Sequence, residues 1–145
     1  FCCHLENNIM KTLFSFAILS LLFIASCSKN QRKVNRIDGK WNVVDADIQG
    51  YGNSDPDVIY EFEYCQLRKD EFCDFSVHNF ETDDLRTGIY TIDDRGRTLE
   101  MTISNGFGFE YREYTIIRLT PWRMVLEAKN APVGEFSRLV LRKVK

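Results

Sequence analysis

Histidine is nearly missing from this chain of 145 residues: there are two, and His4 stands in the first few positions. Catalysis and metal binding both draw on imidazole, and a zinc site wants four nitrogen or sulfur ligands. No Gly-x-Ser-x-Gly or His-Glu-x-x-His motif is present either. A Ser–His–Asp set assembles in space rather than in sequence, so His78 alone keeps that route open. An excess of one charge is also lacking, with 19 Lys and Arg against 21 Asp and Glu. Without a basic face or stripe, nucleic acid is not an expected partner. Helical periodicity is absent as well from Gly39 onward, where no stretch puts apolar residues at i, i+3, i+4 and i+7. The one long apolar run falls short of the roughly 20 residues that a spanning helix needs.

That run is what the chain has instead. Residues Met10–Ser28 read MKTLFSFAILSLLFIASCS: a methionine, one lysine, an apolar stretch, then small residues and a cysteine. This is the order of a secretory signal, with its basic n-region, apolar h-region and small-residue cleavage site. Ile24-Ala25-Ser26-Cys27 resembles the lipobox of bacterial lipoproteins. The resemblance implies that the Cys27 sulfur is acylated, that the bond before it is cut, and that palmitate-type chains hold the protein in a membrane. A plain secretory signal with an incidental cysteine is the alternative. Residues 1–26 are therefore read as leader, with residues 1–9 a mis-assigned start.

Residues 39–145 have the length of one small domain. Setting aside Cys27, the exported part holds Cys65 and Cys73. An even pair in an oxidising compartment predicts a disulfide. A metal pair is the rival, but further ligands are wanting. Ser28–Asp38 (SKNQRKVNRID) has little apolar content and, with Cys27, is expected to be a solvated tether. Lys29, Arg32, Lys33, Arg36 and Lys40 give it a basic character suited either to anionic headgroups or to a simple spacer.

From Gly39 onward the pattern is that of strands. Tyr60, Phe62 and Tyr64 alternate with Glu61 and Glu63, the period of a half-buried strand. Eight such runs are expected: Trp41–Ile48, Val58–Leu67, Phe72–Val77, Gly88–Ile92, Thr98–Ile103, Phe109–Leu119, Arg123–Ala128 and Phe136–Val144. Cys65 and Cys73 would then face each other on a hairpin turning at 68–71. Gly96 supplies the positive φ that the turn at 93–96 requires. Connections at Gly50–Asp57, His78–Thr87, Ser104–Gly108 and Lys129–Glu135 read as long, and those between them as tight. That alternation predicts an all-β, eight-stranded, up-and-down antiparallel barrel with one laced end and one open rim.

Gly39-Lys40-Trp41 resembles the Gly-x-Trp signature of lipocalins, and the domain is similar to lipocalin-like domains of bacterial lipoproteins. The likeness extends over GKWNVV, YEFEYCQLRKDEFC, GIYTIDDRGRTLEM and YTIIRLTPWRMVLEAK. The Thr-Asp-Tyr element of larger lipocalins is missing, with Leu119-Thr120-Pro121 in its place. The resemblance implies that Trp41 plugs the narrow end beneath an arginine of the last strand, Arg142 first and Arg138 second. Because no acidic residues come soon after Cys27, it also implies the periplasmic face of the outer membrane.

Trp41, Tyr60, Phe62, Tyr64, Tyr90, Met101, Phe109, Tyr111, Ile116 and Leu126 are the expected inward residues. Tyr51, Phe80 and Phe107 are expected to ring the rim. If the interior is incompletely filled, Tyr60, Phe62, Tyr64, Tyr90 and Tyr111 line a pocket for a small hydrophobic ligand. If it is filled, the domain is a structural, partner-binding or inhibitory lipoprotein whose loops contact an envelope protein. Neither reading calls for a cofactor, a metal or catalysis.

Overall fold

The computed structural model describes residues 29–67, 70–93 and 95–145. Cys27 and the leader lie outside the described residues, as does the expected turn at Arg68-Lys69. One helix, α1 (Lys29–Ile37), precedes nine strands: β1 (Gly39–Ile48), β2 (Gly52–Ser54), β3 (Val58–Phe62), β4 (Cys73–Asn79), β5 (Asp84–Asp93), β6 (Thr98–Ser104), β7 (Phe109–Leu119), β8 (Arg123–Ala128) and β9 (Phe136–Lys143). Each of β3 to β9 pairs antiparallel with its neighbour in sequence. β1 pairs with both β3 and β9, so the sheet closes into an eight-stranded antiparallel barrel. Short β2 adds to the far end of β1, pairing Ala46 with Ser54.

Alternation sets the core. In β3 the buried positions are Val58, Tyr60 and Phe62, while Ile59 and Glu61 lie between. β1 keeps Trp41, Val43 and Ala46 buried by absorbing a register shift between Val43 and Asp45. The lower half is packed solid with aromatics. Phe62 meets Tyr90 edge-on at 5.2 Å and Phe75 in a stack at 5.7 Å, between ring centroids. Such pairs add about 1 kcal/mol beyond the area they bury.

The segment expected to be a solvated tether is instead α1, and it closes this end. Val34 and Ile37, three positions apart on one helix face, are fully buried. Asn30 donates to the carbonyl of Ile92 at 2.8 Å. Gln31 clasps the β3–β4 connection, donating to Cys65 O and accepting from Leu67 N, each at 2.9 Å. Two apolar residues among nine suffice because the barrel mouth supplies the other half of their packing.

Trp41 is buried beneath this plug, and its indole donates to Ile37 O at 2.5 Å. Its cationic neighbour is Lys143, with Nζ 5.3 Å from the ring centroid, and not Arg142. The reason is register: Leu141 is buried, so Lys143 shares its inward parity while Arg142 points to solvent. Lys143 Nζ also donates to Asp38 O, placing a positive charge at the helix C-terminus. Gly39 has φ +106°, and a Cβ there would come within 3.0 Å of Lys143 Cε. The second expected arginine, Arg138, pairs with Asp45 and Asp47 at 3.5 and 3.8 Å.

Two connections differ from expectation. β3 ends at Phe62 and β4 begins at Cys73, so the β3–β4 connection at the closed end is long. Tyr64 therefore sits outside the strand and is exposed. Cys65 and Cys73 are bonded, with Cα atoms 5.4 Å apart, but the bridge joins this connection to the first residue of β4 and does not cross facing strands. The β4–β5 connection shrinks to residues 80–83, because β5 begins at Asp84.

Candidate functional site

A cavity of about 340 Å³ opens at the barrel end opposite α1. Its floor is formed by Tyr60 on β3 and Tyr114 on β7, above the aromatic cluster. Ile48, Val58, Val77, Ile103 and Phe136 give the walls an apolar character. Arg86 and Arg112 enter from β5 and β7, and Asp84, Glu110 and Glu135 stand with them. These charges form one alternating chain. Arg86 Nε lies 2.6 Å from Asp84 and its Nη1 3.9 Å from Glu110. Arg112 Nη2 pairs with both Glu110 and Glu135.

The two floor tyrosines are nearly fully buried, and neither phenol is hydrogen-bonded to a protein group among the described residues. Burial pushes the Tyr60 phenol far above its ordinary range, Tyr114 adds to the rise, and Arg112 and Arg86 oppose it. Burial likewise pushes Tyr114 up to about 12, with Arg112 opposing and Glu135 adding. Both are therefore hydroxyl donors at neutral pH. Neither hydroxyl is among the buried polar atoms left without a partner, so both reach the open cup, where an oxygen acceptor can meet them.

The rim beside β9 is fixed by backbone pairing. Gln49 N donates to Glu135 O at 2.8 Å, and Gly134 N donates to Gln49 O at 2.9 Å. Glu135 is thus held over Arg112 by the β1–β2 turn, and their ion pair is a product of that placement.

Of the residues expected to line a pocket, the structure brings Tyr60 into the cavity. Phe62 and Tyr90 are inside the barrel but below it, where the Tyr90 hydroxyl donates to Glu63 O at 2.9 Å. Tyr111 faces solvent, as does Phe109, because β7 turns Glu110, Arg112 and Tyr114 inward. Tyr51, Phe80 and Phe107 occur in or beside open-end connections but project into solvent and leave the cavity to others. Sequence reasoning misses Arg86, Glu110, Arg112, Tyr114 and Glu135. The usable signal is Tyr114 and Ile116 on one parity of β7: extended toward the rim, that parity selects Arg112 and Glu110.

Among the described residues, no group of three or more His, Cys, Asp or Glu side chains is placed to hold a metal ion. No helix among them is long and apolar enough to cross a membrane. No protein-family model, curated protein or solved structure matches this chain.

Proposed function

We propose that this is an exported, lipid-anchored barrel, lipocalin-like in build, that holds a small hydrophobic molecule in the cup at its open end. The supporting observation is the cup itself: an apolar-walled cavity whose floor carries two phenols with no protein hydrogen-bond partner among the described residues. A volume of about 340 Å³ stands at the small end of known ligand sites. It equals the share of roughly eleven liquid water molecules. The ligand class that fits is compact, mainly apolar and equipped with at least one oxygen acceptor. The acceptor takes the Tyr60 and Tyr114 hydroxyls, and the apolar part lies against Val58, Val77, Ile103 and Phe136. No group in the cup is arranged as nucleophile and base, so the role proposed is binding without catalysis.

The leader and Cys27 support acylation and residence on the periplasmic face of the bacterial outer membrane. Mutation of Cys27→Ala would then shift the protein from the detergent to the aqueous phase on partitioning. Unchanged partitioning would end the anchoring claim. Binding is tested separately by titrating paired small aromatic and aliphatic alcohols, ketones and hydrocarbons, with native mass spectrometry as the readout. Acceptor-bearing compounds should bind, and Tyr60→Phe should weaken them about tenfold, the equivalent of 1.4 kcal/mol, while sparing the hydrocarbons. If none binds, or if Ile103→Trp in the cup wall changes nothing, the cup is not a ligand site.

A second reading is favoured by the open-end connections, where Tyr51 is largely exposed and Phe107 wholly so. Apolar side chains offered at loop tips suit a protein partner in the envelope. Cross-linking through a photoreactive group at Phe107 separates the two readings.

A further inference from the structure

We propose that the closed end of the barrel is a docking face for an anionic lipid surface, with Trp122 seated in the headgroup layer. This goes beyond the cup and does not depend on it.

The cations of this molecule are divided by their partners. Arg86, Arg112, Lys129 and Arg138, and Lys40 at the closed end, each lie against a carboxylate. At the closed end, Arg36, Arg118, Arg123 and Arg142 are all exposed, and no carboxylate among the described residues lies within 4 Å of them. Arg123 and Arg142 stand directly opposite each other on β8 and β9. Like charges at facing positions are destabilising, and no carboxylate among the described residues pairs with either. Trp122, beside Arg123 in the β7–β8 turn, is 62 % exposed. Tryptophan is enriched where proteins meet the bilayer interface, and arginine is among the residues that anchor there.

These groups form one face. Lys143 N donates to Trp122 O at 3.1 Å, and Lys143 Nζ donates to Asp38 O just beyond α1. The turn bearing Trp122 is thereby joined to the helix bearing Arg36. Cys27, proposed above to carry the lipid anchor, lies two positions before α1, so on that reading the anchor enters at this same end. Charge complementarity selects an anionic surface, and the lipid anchor, on the reading proposed above, selects a membrane over a soluble polyanion. In this pose the cup faces away from the bilayer.

The test uses the full chain reconstituted in two kinds of vesicle, one of phosphatidylcholine alone and one mixed with phosphatidylglycerol, both carrying brominated lipid. The sequence has two tryptophans, and Trp41 is fully buried, so surface quenching reports Trp122. Quenching is expected in the anionic vesicles and should fall away at 1 M salt, where the screening length is about 3 Å. A variant with Arg118→Gln, Arg123→Gln and Arg142→Gln should lower the docked-to-free ratio about fivefold per charge, on the order of a hundredfold together. All three side chains lie on the surface, and unchanged far-ultraviolet dichroism checks that the barrel is intact. Equal quenching in the two vesicles, quenching that persists in Trp122→Phe, or a triple variant that behaves like the parent protein overturns the proposal.

Discussion

Reducing the Cys65–Cys73 bridge should lower the melting temperature by about 10 °C. The two cysteines are eight positions apart. In the chain-entropy treatment, closing a loop of about nine residues is worth roughly 2.5 kcal/mol at 25 °C. Unfolding entropy of about 2.1 cal/mol/K per residue, over the roughly 115 described residues, gives about 0.25 kcal/mol per kelvin. The quotient is the 10 °C shift. The bridge also has a local effect, because the loop it closes is the one that Gln31 grips through Cys65 O and Leu67 N. Freed of the bridge, that loop releases one side of α1. Thermal unfolding monitored by far-ultraviolet dichroism, with and without reductant, measures the global term. Hydrogen exchange across residues 29–37 measures the local one. The Cys65→Ala, Cys73→Ala double variant controls for side effects of the reductant. A reduced protein melting within about 2 °C of the oxidised one would refute the loop-entropy reasoning. Unchanged exchange in α1 would refute the coupling to the plug.

Three other outcomes are expected. Ile37→Ala, which empties a fully buried site under the barrel, should cost about 2–4 kcal/mol in urea unfolding. Gly88→Ala places a Cβ 2.3 Å from Thr102 O and 2.7 Å from Phe75 Cε1, so overpacking should destabilise the protein by about 3 kcal/mol or more. Stability should also fall from about pH 10 upward. The folded-state pKa of Tyr114 is raised to about 12 and those of Tyr60 and Tyr90 are raised further, all led by burial. Above pH 10 the unfolded chain therefore releases phenolic protons that the native state keeps. Each such tyrosine removes up to about 1.4 kcal/mol per pH unit. Denaturant midpoints at pH 9, 10 and 11 would test this, and a midpoint flat across that range would refute it.

Strands are readable in the sequence wherever alternation is regular, and the barrel expected from them is the one observed, yet the two connections flanking β4 break the expected alternation of long and tight. Features set by tertiary context are not readable. In Val58–Leu67 the alternation of Tyr60, Phe62 and Tyr64 runs on, yet pairing stops at Phe62. The loop beyond Phe62 is tied to α1 and to Cys73, contacts that no local pattern announces. α1 itself has low hydropathy because the barrel, and not a long helix face, completes its burial. The cation over Trp41 lies one residue beyond the expected Arg142, which on a strand means the opposite face. The cup is hidden for a related reason: the aromatic residues of β7 suggest an inward face that Phe109 and Tyr111 do not have. At the wet end of a barrel the charged parity is the inner one, as Glu110 and Arg112 show.

The seam between β1 and β9 has a consequence for how the molecule is made. Trp41 pairs with Lys143, roughly a hundred positions later, and contacts so remote in sequence slow folding. Until the final strand is available, β1 is an unpaired edge, open to pairing with other chains. Loss of only the last few residues would remove Lys143 from both the ring of Trp41 and the end of α1. Nascent or C-terminally clipped molecules should therefore be the aggregating species, while the intact chain conceals its edge in its last act of assembly.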